Sequence, residues 1–319
     1  MRSRLHAQIG TLRQLEIVLA VFEAGSISGA ADRLFLTQPT VSMQLKKLSD
    51  AIGMPLYDVI GKQIIFTEAG RELVATAQEV LAEFERLDMN LASLRGMASG
   101  TLKLAVVTTS KYFIPHLLGP FCRRFPKVDI RLKVGNRQQI IDRLRRGEDD
   151  FYVFSHPPSD IDVESIEFLS NPLIALAQKN HPLSKRRQLR LRDIESEPFL
   201  MRESGSGTRL AIEDFLRQEN IELNVRMTME SNEAIKHSVM AGLGISILSA
   251  HTLTFGGKSG LSQLNVQKLP ISTHWYFLWL KAKQPTIIAE EFLHHVQTEG
   301  KDMLLKELRK SGISDRFLK

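Results

Sequence analysis

The stretch Leu36-Thr37-Gln38-Pro39-Thr40-Val41-Ser42-Met43-Gln44-Leu45-Lys46-Lys47-Leu48 decides how this chain is read. Its first four residues form a turn into a helix. Thr37 can cap that helix with its hydroxyl, and Pro39 falls in the first turn, where a missing N–H costs no hydrogen bond. Val41, Leu45, Leu48 and Ile52 follow at steps of four, three and four, an apolar stripe down a helix that continues to about residue 51. Gln38, Ser42 and Lys46 share another face. Such a helix can dock by its stripe and keep its polar face free.

Upstream, Leu12, Leu15, Val18, Leu19 and Phe22 predict a helix over 11–24, and Gly25-Ser26-Ile27-Ser28 supplies a turn with cap candidates. Gly29, Ala30, Ala31 and Leu34 then make a short helix with a small-residue face that permits close packing. Two tightly joined helices, the second polar-faced, describe a helix-turn-helix. Downstream, Leu56-Tyr57 and Ile64-Ile65-Phe66 flank Gly61-Lys62-Gln63, a small hairpin suited to be a wing. Thr67 caps a long helix to about residue 94. Its apolar positions Leu73, Ala77, Val80, Phe84, Leu87, Leu91 and Leu94 alternate steps of four and three over three heptads. That period favours a seam between paired helices over a helix packed only on its own domain.

Residues 95–100 (RGMASG) read as a hinge, and beyond them the pattern changes. Strands over 102–107, 128–134 and 151–154 alternate with helices over 113–125 and 138–146, the signature of βαβ units and a mainly parallel sheet. Strands over 173–178, 199–201 and 245–248, with helices near 208–219 and 232–241, repeat the alternation as a second lobe. The strand over 275–280 and helix over 287–297 can return to the first lobe. The expected fold class is therefore α/β, with an α-rich winged helix-turn-helix, a long linker helix and two Rossmann-like lobes resembling a periplasmic-binding-protein fold.

Composition sets bounds on function. At 319 residues, 43% hydrophobic and 24% charged, the chain can bury two or three cores. The single Cys122 excludes an intrachain disulfide and a cysteine zinc cluster, and reads as a small packed residue. With Arg2, Arg4, Arg13 and Glu16 ahead of any apolar run there is no signal-peptide core, and no run approaches a membrane span, so a cytoplasmic location away from membranes is expected. The net charge is +6, yet residues 1–99 carry 10 Lys and Arg against 11 Asp and Glu, while residues 100–319 carry 32 against 25. Bulk charge thus does not argue for DNA. The excess suits an anionic ligand or reflects the surface run 185–192.

Taken in order, Ser26-Ile27-Ser28-Gly29-Ala30-Ala31-Asp32-Arg33-Leu34, the run from Leu36 to Leu45, and Thr67-Glu68-Ala69-Gly70 resemble the LysR-type transcription regulators, and the likeness extends over nearly the whole chain. Glu148-Asp149-Asp150-Phe151-Tyr152-Val153, the run 202–209 (RESGSGTR) and Glu230-Ser231-Asn232-Glu233-Ala234-Ile235-Lys236 resemble the CbbR-type branch, which controls carbon-fixation (RubisCO) genes. Two positions depart from the pattern: many relatives carry Arg where Met43 and Val59 stand. The resemblance implies a DNA-binding domain over 1–66, a linker and dimerisation helix over 67–95, and an effector-binding domain over 96–300. The effector domain divides into lobe I, about 101–165 with 271–300, and lobe II, about 166–270; residues 301–319 are left as a charged helical tail. It implies as partners double-stranded DNA, a small-molecule effector, RNA polymerase, and copies of the chain in a homodimer that assembles to a homotetramer.

An α-helix fits the major groove, where each base pair shows a distinct donor and acceptor pattern. Gln38 and Ser42 suit base edges, Pro39 and Thr40 can touch a thymine methyl, and Thr37, Lys46 and Lys62 suit phosphates. In the sensor, strand ends and helix N-termini of two α/β lobes converge on a cleft, a natural site for anions. Thr108-Thr109-Ser110-Lys111 follows the first strand and Asn136-Arg137 the second. Lobe II offers Arg202, Glu203, Ser206, Thr208 and Asn232. Ser110, Thr208 and Asn232 are also good N-caps. No cofactor is expected, and the branch implies an effector that is a phosphorylated sugar or a nicotinamide nucleotide.

The competing class is an α/β enzyme or solute receptor with an unrelated helical cap. Against it, the chain has no G-x-S-x-G elbow, Walker loop or H-E-x-x-H, and its His294-His295 pair does not share a helix face. Gly242-Leu243-Gly244 is too short for a dinucleotide fingerprint.

Overall fold

The structure, a computed structural model, describes residues 11–61, 63–94, 100–257 and 259–310; within the long helix it leaves out the side chains of 85, 88–90 and 92–94. The chain divides into two compact units, Met1–Leu94 and Arg95–Lys319.

The first unit packs helices α1 (Leu12–Ala24), α2 (Ile27–Leu34) and α3 (Gln38–Ile52) around one core. Gly25, at φ 64°, ends α1 in the left-handed region that glycine enters without strain, and the Ser26 hydroxyl caps α2 by accepting from the Gly29 N–H. Thr37 caps α3 by accepting from the Thr40 N–H. Val41, Leu45 and Leu48 are buried, as their spacing requires. Strands β1 (Tyr57–Ile60) and β2 (Gln63–Phe66) pair antiparallel with Ile60 opposite Gln63. The hairpin is tied to the end of α1 by the Ile64 N–H, which donates to the Gly25 carbonyl.

Helix α4 (Glu68–Leu94) begins at Thr67, whose hydroxyl accepts from the Gly70 N–H and donates to the Pro55 carbonyl. Its apolar stripe divides in two. Leu73 and Ala77 are buried and Val80 half-buried in this unit's own core, so the first half of the expected pairing seam is domain core. Phe84, Leu87 and Leu91 are exposed at 50%, 50% and 41%. The Leu94 side chain lies outside the described residues.

The second unit holds two lobes. In lobe I, β3 (Gly100–Val107), β4 (Val128–Gly135), β5 (Phe151–Phe154), β6 (Val163–Ser170) and β12 (His274–Leu280) form one sheet in the order β4-β3-β5-β12-β6. β3 runs parallel to β4 and β5, while β12 is antiparallel to β5 and β6, so the sheet is mixed. Helices α5 (Ile114–Arg124) and α6 (Arg137–Arg145) connect its parallel strands. In lobe II, β7 (Leu173–Gln178) pairs antiparallel with β10 (Ser246–Ser249) and β11 (Leu261–Gln263), and β8 (Phe199–Arg202) pairs parallel with β9 (Val225–Met229). Around these strands lie α7 (Arg192–Glu195), α8 (Gly207–Glu219), α9 (Asn232–Met240) and α10 (His251–Thr254).

Two crossings join the lobes side by side. The Asn171 N–H donates to the Thr273 carbonyl at 2.7 Å, and Leu173 bridges Ile271. The apolar core is continuous across this hinge: Phe113, Phe168 and Trp275 belong to the same cluster as Ile235, Val239 and Leu248. Helix α11 (Ile287–His295) leads through a π-helical turn (Val296–Gly300) into α12 (Lys301–Lys310). Leu304 and Leu308 of α12 are fully buried in that core. Residues 301–310 are therefore a docked part of the lobe and not a free tail, and residues 311–319 lie outside the described set.

Candidate functional site

Two sites stand out, one on each unit. On the first, α3 turns Gln38, Pro39 and Lys46 to solvent with Ser42 and Thr40 half-buried beside them, and Thr37 is exposed at the cap. The Thr37 and Thr40 hydroxyls bond each other at 2.8 Å. Met43 and Val59 are exposed apolar side chains, at 49% and 59%, where an arginine would add charge. Lys62, assigned to the wing, lies outside the described residues.

On the second unit, strand ends of lobe I face the N-terminus of α8 across a narrow cleft. Its walls are Val107, Thr108 and Thr109 after β3, Arg137 at the start of α6, Phe154, Ser155 and His156 after β5, and Arg202, Glu203, Ser206, Gly207 and Thr208 of lobe II. α8 is built to leave donors free: its N-cap Ser206 makes no capping bond, so its hydroxyl and the first-turn N–H groups have no partner within the helix. A side chain at Gly207 would meet Ser155 Oγ at 2.7 Å, so glycine lets the helix start close against lobe I.

Arg202, 3% exposed, is the centre of the network. Its Nε and Nη2 donate to the two Glu203 carboxylate oxygens, both at 2.7 Å. Nη1 donates to Asn232 Oδ1 at 2.6 Å and Thr109 Oγ1 at 3.3 Å, and Nη2 also reaches Thr108 Oγ1 at 3.2 Å. The guanidinium is spent on protein acceptors, and Glu203 neutralises it. Since Thr109 Oγ1 also accepts from Asn232 Nδ2 at 2.9 Å, its own proton must point out of the network. Arg202 thus aims hydroxyl donors instead of offering its own. The less committed cation on the wall is Arg137, which donates from Nη1 to the His156 carbonyl at 2.6 Å and lies over the Phe154 ring at 5.4 Å. Burial pulls its pKa down, and Asp160 pushes it partly back. Oriented hydroxyls, a helix N-terminus and a cation together favour a small anion.

Seven of the expected effector residues meet in this cleft: Thr108, Thr109, Arg137, Arg202, Glu203, Ser206 and Thr208. Asn232 stands one layer behind, holding Arg202 and Thr109. Three others turn elsewhere. Ser110 donates to the Val107 carbonyl at the strand end, Lys111 lies over the Tyr112 ring, and Asn136 closes a capping box with Gln139. Ser155 and His156 were missed. Their signal was present, since they follow the C-terminal end of a parallel strand just as Thr108 does. Among the described residues, no cluster of His, Cys, Asp and Glu could hold a metal, and no helix is long and apolar enough to cross a membrane.

A winged helix-turn-helix on one unit and two α/β lobes with a polar cleft on the other define a ligand-responsive DNA-binding regulator. Residues 12–71 match the model of the bacterial regulatory helix-turn-helix protein, lysR family, and residues 95–301 that of the LysR substrate binding domain. The chain belongs to the LysR family of transcriptional regulators, in its CbbR-type branch, and is not an enzyme. It is 45% identical to the HTH-type transcriptional activator CmpR of Synechocystis over 90% of this chain and 94% of that one. It is 40% identical to a RuBisCO operon transcriptional regulator of Acidithiobacillus ferrooxidans, over 92% and 95%. Among solved structures, the regulatory domain of Synechocystis CcmR in complex with 2-PG shares 42% identity and a TM-score of 0.61, covering 64% of this chain and 99% of that one. CbnR, at 22% identity over 91% of this chain and 99% of its own and a TM-score of 0.65, shares the fold.

Proposed function

We propose that this regulator binds a small phosphorylated carboxylic acid of the 2-PG kind in the interlobe cleft and, in response, controls carbon-fixation genes. The observation that carries this reading is the convergence of Thr108, Thr109, Ser206, the α8 N-terminus and Arg137 on one space with Arg202 already neutralised by Glu203. The closed space among these residues is only about 20 Å³, which suits a small acid better than a nicotinamide dinucleotide. The likeness to a regulatory domain solved in complex with 2-PG, and to regulators named for the RuBisCO operon, points the same way.

On the DNA side, Gln38 and Ser42 read base edges in the major groove, with Pro39 and Thr40 against a thymine methyl. Thr37, Lys46 and Lys62 position the helix on phosphates. The exposed second half of α4, Phe84, Leu87 and Leu91, joins two copies, so that paired recognition helices meet two-fold related half-sites. Those dimers assemble into a tetramer that contacts RNA polymerase in the cytoplasm. The deciding experiment selects fragments of the source genome bound by the full chain, with and without 2-PG. Enrichment upstream of carbon-fixation genes that shifts with 2-PG supports the reading, and enrichment elsewhere, indifferent to 2-PG, overturns it.

A further inference from the structure

Beside the cleft, a second link joins the same two segments. Tyr112, three residues after Thr109, donates its hydroxyl to Glu233 Oε1 of lobe II, and Glu233 adjoins Asn232. Lys236, one turn further along α9, has its side chain 4% exposed and spends its ammonium protons on Glu233 Oε1 at 3.3 Å, the Thr252 carbonyl at 3.2 Å and the Gly256 carbonyl at 2.7 Å. Its Nζ also lies 5.8 Å from the centre of the Tyr112 ring. Gly256 closes the nest: a Cβ there would stand 2.8 Å from Tyr112 Cε1 and 3.0 Å from Lys236 Nζ. The Tyr112 ring is thus held between α9 and the segment after β10. A buried lysine needs every proton satisfied. Here each acceptor comes from lobe II, so the ammonium is a fixed post on which Glu233 is set to receive the lobe I tyrosine.

Resting on the proposed effector site, we propose that Tyr112 is a positioning residue for it: docked on Glu233 and Lys236, it fixes the spacing at which Thr108 and Thr109 face Ser206 and Thr208, and so sets effector affinity. The two links are successive. Thr109 to Asn232 and Tyr112 to Glu233 pin residues 109–112 against the first turn of α9 at both ends. Cutting the outer link leaves the inner one free to tilt, so a ligand must itself order the hydroxyls it needs. Tyr112→Phe keeps the ring and leaves Glu233 paired with Lys236, so it isolates the hydroxyl.

The test uses the full chain with two readouts, calorimetric titration with 2-PG and amide hydrogen exchange over residues 108–112 and 230–236 without ligand. Tyr112→Phe and Glu233→Ala are expected to weaken 2-PG binding about threefold to tenfold, in line with one lost hydrogen bond to a charged group that is partly open to solvent. Both should speed exchange in those two segments and leave DNA affinity without effector unchanged. Glu233→Gln, which keeps an oxygen for the hydroxyl, should restore most of what Glu233→Ala loses. Unchanged affinity together with unchanged exchange in Tyr112→Phe overturns the proposal. Should the wild-type chain not bind 2-PG at all, the effector reading fails by itself, and faster or unchanged exchange still decides whether Tyr112 holds the cleft edge.

Discussion

Thr109 of lobe I and Asn232 of lobe II, 123 residues apart in sequence, are joined by a 2.9 Å hydrogen bond that runs from the amide to the hydroxyl oxygen. With Arg202 donating to the same oxygen, the threonine can only give its proton elsewhere, and the cleft is the open direction. Thr109→Val removes that donor while keeping the shape. It should weaken effector binding by about 1–2 kcal/mol, roughly tenfold. Thr109→Ser should retain it. Calorimetry on the full chain measures both, and equal affinity in wild type and Thr109→Val would show that the hydroxyl faces no ligand.

The same geometry separates Arg202 from Arg137. Arg202 acts through its fork to Glu203 and its reach to two threonines and an asparagine, so Arg202→Lys, which keeps charge but not the planar fork, should lose effector response nearly as fully as Arg202→Ala. For Arg137→Lys the retained charge at the cleft wall should leave a partial response. A reporter fusion titrated with 2-PG distinguishes the two; a full response in Arg202→Lys contradicts the orienting role.

Gln38 is exposed at the start of the recognition helix, with its amide unencumbered by the core. Gln38→Ala should cost about 1–3 kcal/mol on a specific site and little on random DNA. Gel-shift titrations at fixed salt measure the ratio. A uniform loss on both DNAs would mean that Gln38 touches backbone only.

How much of this was legible in advance depended on how local the cause was. The stripe Val41, Leu45, Leu48 and the caps Ser26 and Thr37 are set by neighbours a few residues away, and the structure has them as the spacing requires. The division of the α4 stripe was not legible, because the same seven-residue pattern serves a domain core at Leu73 and Ala77 and an exposed face at Phe84. Nor was the burial of Leu304 and Leu308, which depends on partners distant in sequence, β6 and α10, against which α12 packs. The run from Glu148 to Val153 that resembles one branch of the family is structural. Asp149 is buried in a fork from Arg143, and its N–H donates to the Tyr152 hydroxyl. At the cleft, cap residues and ligand residues have the same chemistry, so Asn136 and Ser110 could be sorted from Ser206 only by seeing which hydroxyl or amide already had a backbone partner.

Gly70 carries a stability prediction. A Cβ at this position would stand 1.9 Å from the Leu56 carbonyl oxygen, a backbone atom that cannot swing aside. Gly70→Ala should destabilise the DNA-binding unit by about 1–3 kcal/mol, the range for forced overpacking. Thermal unfolding followed by circular dichroism, with loss of DNA binding at lower temperature than wild type, is the measurement; an unchanged midpoint would refute the close approach.

At the hinge, His251 is fully buried, and burial pushes its pKa down from 6.5 to about 4, against a smaller upward pull from the Ser170 carbonyl. The unfolded chain takes up a proton as pH falls through about 6.5, and the folded chain does so only near 4. Stability from this group is complete above the upper value and is lost as pH falls through the window, by about 1.4 kcal/mol per pH unit. Denaturant midpoints at pH 5 and 7 should differ less in His251→Gln than in wild type, and an identical difference would assign the acid sensitivity to other groups.

The exposed half of α4 yields the prediction on assembly. Phe84, Leu87 and Leu91 lie at steps of three and four on one helix face, and each exposes 41% or more of its surface although Leu73 and Ala77 earlier on the same stripe are buried. Covering three large apolar side chains is worth several kcal/mol at about 25 cal/mol per Å², whereas a charge placed among them must be desolvated on pairing. Leu87→Glu should therefore shift the chain toward monomer at micromolar concentration in analytical ultracentrifugation. Because Leu73 and Ala77 hold the helix on its own domain independently of Leu87, the monomer should keep the helical content and unfolding midpoint of its DNA-binding unit while losing affinity for two-fold symmetric sites. A dimer that survives Leu87→Glu and Phe84→Glu together would place the pairing surface elsewhere on the molecule.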